Sequence, residues 1–169
     1  MRWLSSLSRI RAASLRYFNA AGGSAQHPEQ HVNEFHLIPL ALAAAAGHRP
    51  GLDLYGTDYP TRDGTCVRDY IHVSDLATAH ALAIDALEGH QHLTLNLGTG
   101  TGYSNREIID AVKRVTGRDF TVHETARRPG DPAEAVAAND LAILTLGWTL
   151  ERSSLDQIVT DAWAAYQSL

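Results

Sequence analysis

Cysteine, lysine and long apolar runs are what this sequence has least of. Cys66 is the single cysteine in 169 residues, which excludes an intrachain disulfide and fits a reducing compartment, so a cytoplasmic protein is expected. No apolar stretch approaches the ~20 residues that a membrane-spanning helix needs. Basic residues are outnumbered, 14 Lys and Arg against 19 Asp and Glu, for a formal net charge of −5. General binding to nucleic acid or anionic membranes needs a basic face, which this balance does not supply. Lys113 is the single lysine, and that scarcity limits which catalytic pairs the chain can hold. Internal repeats and low-complexity tracts are missing as well.

What remains is an ordinary globular composition, 44% hydrophobic and 20% charged, long enough for one domain with a real core. The opening residues, MRWLSSLSRIRAAS, are basic, Ser-rich and free of acids, as in a transit peptide. Trp3, Leu4, Leu7 and Ile10 recur at helical spacing, so a leading amphipathic helix is the simpler reading, with a substituted start to a longer ancestral gene as a further alternative. Beyond it, Ser14–Asn19 reads as a strand entering a Gly-containing loop, and residues 24–34 as a polar, His-rich loop. His36–Gly47 is Ala/Leu-rich and predicts a helix, with Pro39 in the first turn, where a missing N–H costs little. Leu52–Tyr55 predicts a strand. Ser74 looks like an N-cap for a helix to Leu87, and Leu93–Leu97 like a strand. Ser104 and Glu107 form a capping box that opens a helix to Thr116, ended by Gly117. Phe120–His123 and Ala135–Ala138 predict short strands and Asn139–Leu146 a short helix. A last helix starts at Ser154, apolar at Leu155, Ile158, Val159, Ala162, Trp163 and Tyr166. Helices alternating with short strands make the class α/β.

Two stretches invite a functional reading. Gly98-Thr-Gly100-Thr-Gly102 lies between a strand and a helix, where a dinucleotide fingerprint would lie, and Glu124 follows the next strand. Its spacing is G-x-G-x-G, with Tyr103 where the third glycine should fall. The second is the loop from Leu54 to Asp75, LYGTDYPTRDGTCVRDYIHVSD, dense in turn formers, Arg, Asp and Tyr. From the residues alone, Arg68 and Arg128 are either anion ligands or members of surface ion pairs with Asp69 and Asp131. His72 and Tyr70, with Tyr17, read as packing residues. The nine histidines, including His27, His31, His90 and His92, come with no carboxylate or cysteine that completes a metal-ligand set, so no metal site is expected.

The Leu54–Asp75 segment resembles the corresponding segment of UDP-glucose 4-epimerases, members of the extended short-chain dehydrogenase/reductase superfamily (the NAD-dependent epimerase/dehydratases). Leu15-Arg16-Tyr17-Phe18-Asn19-Ala20-Ala21-Gly22, His36-Leu37-Ile38-Pro39, Asn96-Leu97-Gly98-Thr99-Gly100 and Arg127-Arg128-Pro129-Gly130-Asp131 follow in that family's order and spacing. The resemblance runs from Ser14 to the C-terminus, and residues 1–13 carry no recognised motif. It implies the C-terminal, substrate-binding part of an extended short-chain dehydrogenase fold, with residues 14–169 an incomplete domain retaining a remnant of the Rossmann sheet. It also makes the Gly98–Gly102 run a strand-to-helix turn instead of a cofactor site.

The activity implied is interconversion of UDP-glucose and UDP-galactose through hydride transfer at C4 to bound NAD, rotation of the keto-sugar and hydride return. The family's proton transfer uses a Tyr-x-x-x-Lys pair. Here Ile109 stands four residues before Lys113, so the chain lacks that pair, and it lacks the glycine-rich NAD loop. No catalytic residue is therefore assigned. The resemblance implies Arg68, Arg128 and Asn19 on the diphosphate, with Phe18 beside the nicotinamide. It implies His36, Leu37 and the run Leu52, Asp53, Leu54, Tyr55 along the uracil, and Asp131 on the ribose. Ala135 falls near the sugar, where a small side chain leaves room for an N-acetyl group. A UDP-sugar is thus the expected ligand, and an N-terminal half, or self-association through an uncovered strand edge, the expected partner. Two other readings stay open: an inactive truncated remnant that retains weak UDP-sugar binding, and a nucleotide-sugar dehydratase or decarboxylase.

Overall fold

The computed structural model describes residues 10–24, 26–31 and 33–169. The leading helix expected over residues 3–10 falls almost wholly outside them. The chain begins with β1 (Ala12–Tyr17), bends at Phe18 and continues as β2 (Asn19–Ala21). There follow α1 (Leu37–Ala45), β3 (Leu52–Tyr55), β4 (Val67–His72), α2 (Val73–Ala86), β5 (His92–Leu97), β6 (Gly102–Ser104) and α3 (Asn105–Thr116). The last elements are β7 (Val122–Thr125), β8 (Glu134–Ala135), α4 (Asp140–Leu146) and α5 (Leu155–Tyr166). The α/β class expected from the sequence is the class observed.

Three small sheets result among the described residues. β1 pairs in parallel with β5 from Ala12↔His92 to Tyr17↔Leu97. At the bend the Phe18 amide still donates to the Leu97 carbonyl (3.2 Å), and the next residues cross to β4, where Asn19 lies opposite Tyr70. β4 also takes β6 antiparallel and β8 in parallel, while β3 pairs in parallel with β7. Among the described residues no helix is long and apolar enough to cross a membrane.

Strand β4 divides the molecule. Successive residues of a strand point to opposite faces, and here both faces are covered. Tyr70 joins a core made with Ile38, Leu42, Leu52, Leu54, Ile108, Val112 and Ile158, between α1, α3, α5 and β3. Ile71 joins the other, with Leu76, Leu93, Leu95, Leu97, Ala142 and Trp148, between α2, α4 and the β1–β5 pair. Burial on both sides explains why VRDYIH shows no polar–apolar alternation, and why the sequence marked it only as the exit from a loop.

Helix ends follow their caps. Ser104 accepts from the Glu107 amide (3.1 Å) and Glu107 returns a bond to the Ser104 amide (2.8 Å); Gly117 closes α3 at φ +65°. The cap of α5 is one-sided: Ser154 accepts from the Gln157 amide, while the Gln157 side chain donates to Asp161 instead. For α2 the expected cap is corrected. Ser74 is already helical, and the N-cap is His72, whose Nδ1 accepts from the Ser74 amide at 3.0 Å.

Candidate functional site

A cavity of about 1040 Å³ opens between the bend at Phe18, α1, β3, Arg68 and Tyr70 of β4, the 128–131 turn and the end of α5. Every residue that the resemblance implies on the ligand lines it except Ala135: Phe18, Asn19, His36, Leu37, Leu52, Asp53, Leu54, Tyr55, Arg68, Arg128 and Asp131. Ala135 lies on β8, in register opposite Arg68.

The bend at Phe18 brings Asn19 beside β4, where its amide donates to the Asp69 carbonyl at 2.9 Å. That bond orients the side chain and leaves its oxygen as an acceptor. Arg68 leaves β4 toward the cavity with its side chain largely buried, its Nη1 on the Val67 carbonyl (2.8 Å) and its Nη2 3.7 Å from Asp131 Oδ1. Arg128 donates from Nε to Asp131 Oδ2 at 3.1 Å and lies over the Tyr55 ring at 4.9 Å. One carboxylate thus sits between two guanidinium groups. Asp69, the other ion-pair partner expected, is turned away and fully buried.

The neighbouring Arg127 has a different task. It donates to Asp58 Oδ1 (2.6 Å) and covers the Tyr59 ring at 4.1 Å, which pins the 127–131 turn to the loop after β3 and leaves Arg128 to the cavity. The Arg127 guanidinium holds the Asp58 carboxyl below the usual carboxylate range. Gly56, at φ +74°, lets the turn approach: a Cβ there would come 2.8 Å from Arg127 Cγ.

The Gly98–Gly102 turn has the amides of an anion site, but the anion is the chain's own. Asp69 Oδ1 accepts from the Thr99 amide (2.8 Å) and hydroxyl (2.7 Å), and Oδ2 from the Gly100 (3.0 Å) and Ala137 (3.1 Å) amides. A Cβ on Gly98 would meet Asp69 Oδ2 at 2.6 Å. The first turn of the helix that follows is occupied too, the Asn105 amide donating to the Cys66 carbonyl (3.0 Å) and the Glu107 amide to Ser104 Oγ (3.1 Å). A dinucleotide pyrophosphate therefore does not fit this turn.

Sequence reasoning missed several residues of the cavity wall, among them Cys66, Tyr70, Asn105 and Tyr166. Burial pushes the Tyr70 phenol up to about 12, so it stays protonated at neutral pH. Its place in the hydrophobic core agrees with the packing role expected. Tyr17, expected to pack, is instead half exposed, with its ring 5.6 Å from that of His80. His72 is fully buried and its Nε2 lies 3.2 Å from Asp161 Oδ2 without hydrogen-bond geometry. Burial pushes its imidazole down, against the opposing pull of Asp161. Among the described residues one group does gather metal-ligand types, His31, Glu34 and His36. Burial works to raise the Glu34 carboxyl, and the His36 and Phe35 amides with the His36 ring overcome it, so it is held below the usual range.

Parallel strands bent into a two-core α/β body, with two arginines and an asparagine on a cleft beside a short edge strand, define a fold class that the comparisons identify. Residues 2–98 match the model of the NAD dependent epimerase/dehydratase family, and the chain belongs to that family. More particularly, it is 46% identical over 160 residues to a UDP-glucose 4-epimerase of Corynebacterium glutamicum, an alignment taking in 95% of this chain and 49% of that protein. The crystal structure of a UDP-glucose 4-epimerase from Stenotrophomonas maltophila with bound NAD and formylated UDP-arabinopyranose superposes with a TM-score of 0.92 at 38% identity, covering 99% of this chain and 51% of the other. That from Bifidobacterium longum in complex with NAD+ and UDP gives 0.91 at 34% identity, covering 98% and 50%. The chain thus spans about half the length of the relatives it matches.

Proposed function

We propose that the chain is the nucleotide-sugar-binding half of a UDP-glucose 4-epimerase, residues 14–169 forming the incomplete domain that holds UDP while the sugar is presented for chemistry. The observation that carries this reading is the convergence of Asn19, Arg68 and Arg128 on one cavity with the apolar wall of Leu37, Leu52 and Leu54. A diphosphate needs planar, multi-donor cations, and guanidinium groups supply them. A pyrimidine needs a flat apolar wall with nearby polar edges, and β3 has one edge with no strand partner among the described residues. Asp131 holds both arginines in the free protein and, in this reading, yields them to the diphosphate and turns to the ribose. His36 and Tyr55 flank the base. NAD, in the same reading, supplies hydride acceptance and return at C4, with Phe18 beside its nicotinamide. This chain's own contribution is binding, orientation and exclusion of water.

Turnover needs a complementing N-terminal half, because Lys113 has Ile109, not tyrosine, four residues before it. Binding without turnover is therefore the behaviour expected of these 169 residues by themselves. Titration calorimetry with UDP tests the reading: saturable 1:1 binding is expected, and the absence of any heat at millimolar UDP overturns it. Ala135 extends it to the sugar. Its small side chain in register with Arg68 leaves room for an N-acetyl group, so Ala135→Tyr in the complemented enzyme is expected to lower UDP-N-acetylhexosamine turnover relative to UDP-hexose. An unchanged ratio would remove that assignment.

A further inference from the structure

The loop between β2 and α1 gathers three metal-ligand side chains from six consecutive residues. His31, Glu34 and His36 each offer one ligand atom, and those atoms all lie within 4.8 Å of one another. Glu34 stands between the rings: its Oε1 is 2.7 Å from His36 Nδ1 and its Oε2 3.9 Å from His31 Nδ1. Two ligands on a tetrahedral ion with bonds of about 2.1 Å stand roughly 3.4 Å apart, and these separations fall on either side of that value. The carboxylate is already oriented by its own backbone, since Oε1 accepts from the Phe35 (2.8 Å) and His36 (2.7 Å) amides. The two imidazole rings face one another at 5.4 Å between centroids. Glu29 forms an ion pair with His31 and supplies a second carboxylate at the cluster. In the pairing seen here each imidazole has a carboxylate at its Nδ1, the arrangement of a site whose protons a metal can replace.

We propose that His31, Glu34 and His36 form a binding site for a divalent transition metal of the zinc type. Two imidazoles with one carboxylate favour zinc over magnesium or calcium, which prefer all-oxygen shells. The three side chains are 58%, 20% and 52% exposed, so an ion reaches them without unfolding the loop. All line the same cavity as Arg68 and Arg128. The site stands on its own residues and does not rest on the nucleotide-sugar reading, whose failure would leave it untouched.

The test is calorimetric titration of the chelator-stripped full chain with zinc chloride, and in parallel with magnesium chloride, in the absence of nucleotide. One zinc per chain is expected, with no magnesium binding. His31→Ala, His36→Ala and Glu34→Gln are each expected to weaken zinc binding by about a hundredfold or more. His90→Ala, on an exposed turn elsewhere, should leave it unchanged. Because the three side chains lie on a solvent-facing loop, the variants should melt with the parent. X-ray absorption of the zinc-loaded parent gives a second reading that needs no variant, with two imidazole nitrogens and carboxylate oxygen expected. Absence of saturable zinc binding, binding undiminished when His31→Ala, Glu34→Gln and His36→Ala are combined, or a metal shell without imidazole would overturn the proposal and leave simple His–Glu ion pairs.

Discussion

At the scale of single residues, adjacent arginines of one turn do different work. Arg127 is committed to Asp58 and Tyr59, whereas Arg128 and Arg68 share Asp131 and face the cavity. A charge-assisted hydrogen bond contributes about 1.5–3 kcal/mol, so Arg68→Ala should weaken UDP binding by roughly 10–100-fold in a calorimetric titration. Arg68→Lys should recover only part of that loss, because an ammonium cannot hold two oxygens in one plane. Equal UDP affinity in parent and Arg68→Ala would detach Arg68 from the ligand.

His72 gives a pH dependence whose sign is fixed by burial. Its imidazole is pushed below its ordinary value in the folded protein, so the unfolded chain binds the proton more readily. The stabilisation is complete above the unfolded value of about 6.5 and is lost as pH falls below it. Melting temperature should therefore decline between pH 7.5 and 5.5, above the range where the carboxylates titrate, and His72→Gln should flatten the decline. An equal decline in that variant would assign it elsewhere.

Among the elements, β4 and its partner turn set the geometry of the cavity. Asp69 on β4 collects donors from Thr99, Gly100 and Ala137 and thereby ties β5, β8 and β4 into one block beneath Arg68 and Asn19. Asp69→Ala leaves several buried donors unpaired, at about 3 kcal/mol or more. For a domain of this size that lowers the melting temperature by roughly 6–12 °C. A fall of less than 2 °C in a thermal scan would show that the donors find other partners.

Local chemistry made α3 legible, because Ser104, Glu107 and Gly117 each act within one turn. It made β3 legible through Leu52 and Leu54 on one face. It could not reveal β4, whose two buried faces carry Asp69, Tyr70 and His72 among the apolar residues. Nor could it reveal β6, three residues long, or the N-cap role of His72, since histidine is not a preferred cap. The cavity wall was legible through the resemblance, motif by motif. Cys66, Tyr70 and Tyr166 were not, because their approach depends on how β4 and α5 pack. Glu34 escaped notice as a partner of His31 and His36 because only the folded loop brings the three ligand atoms together.

For the molecule as a whole, β1 is paired on one side only among the described residues, and Tyr17 at its end is half exposed. A parallel edge strand with open backbone groups is a template for another strand. Sedimentation velocity should accordingly show concentration-dependent association of the isolated chain, and a single monomeric boundary across the micromolar range would contradict it. The two cores either side of β4 share that strand, so a single unfolding transition is expected.

The most direct measurement is thermal melting of the purified chain with and without millimolar UDP or UDP-glucose. A ligand that binds only the folded state, present at a hundred times its dissociation constant, adds about 2.7 kcal/mol, or roughly 5–11 °C here. The account predicts one cooperative transition, raised by both ligands. A cooperative transition that neither ligand moves would contradict it, leaving a folded chain whose arginines serve Asp131 alone.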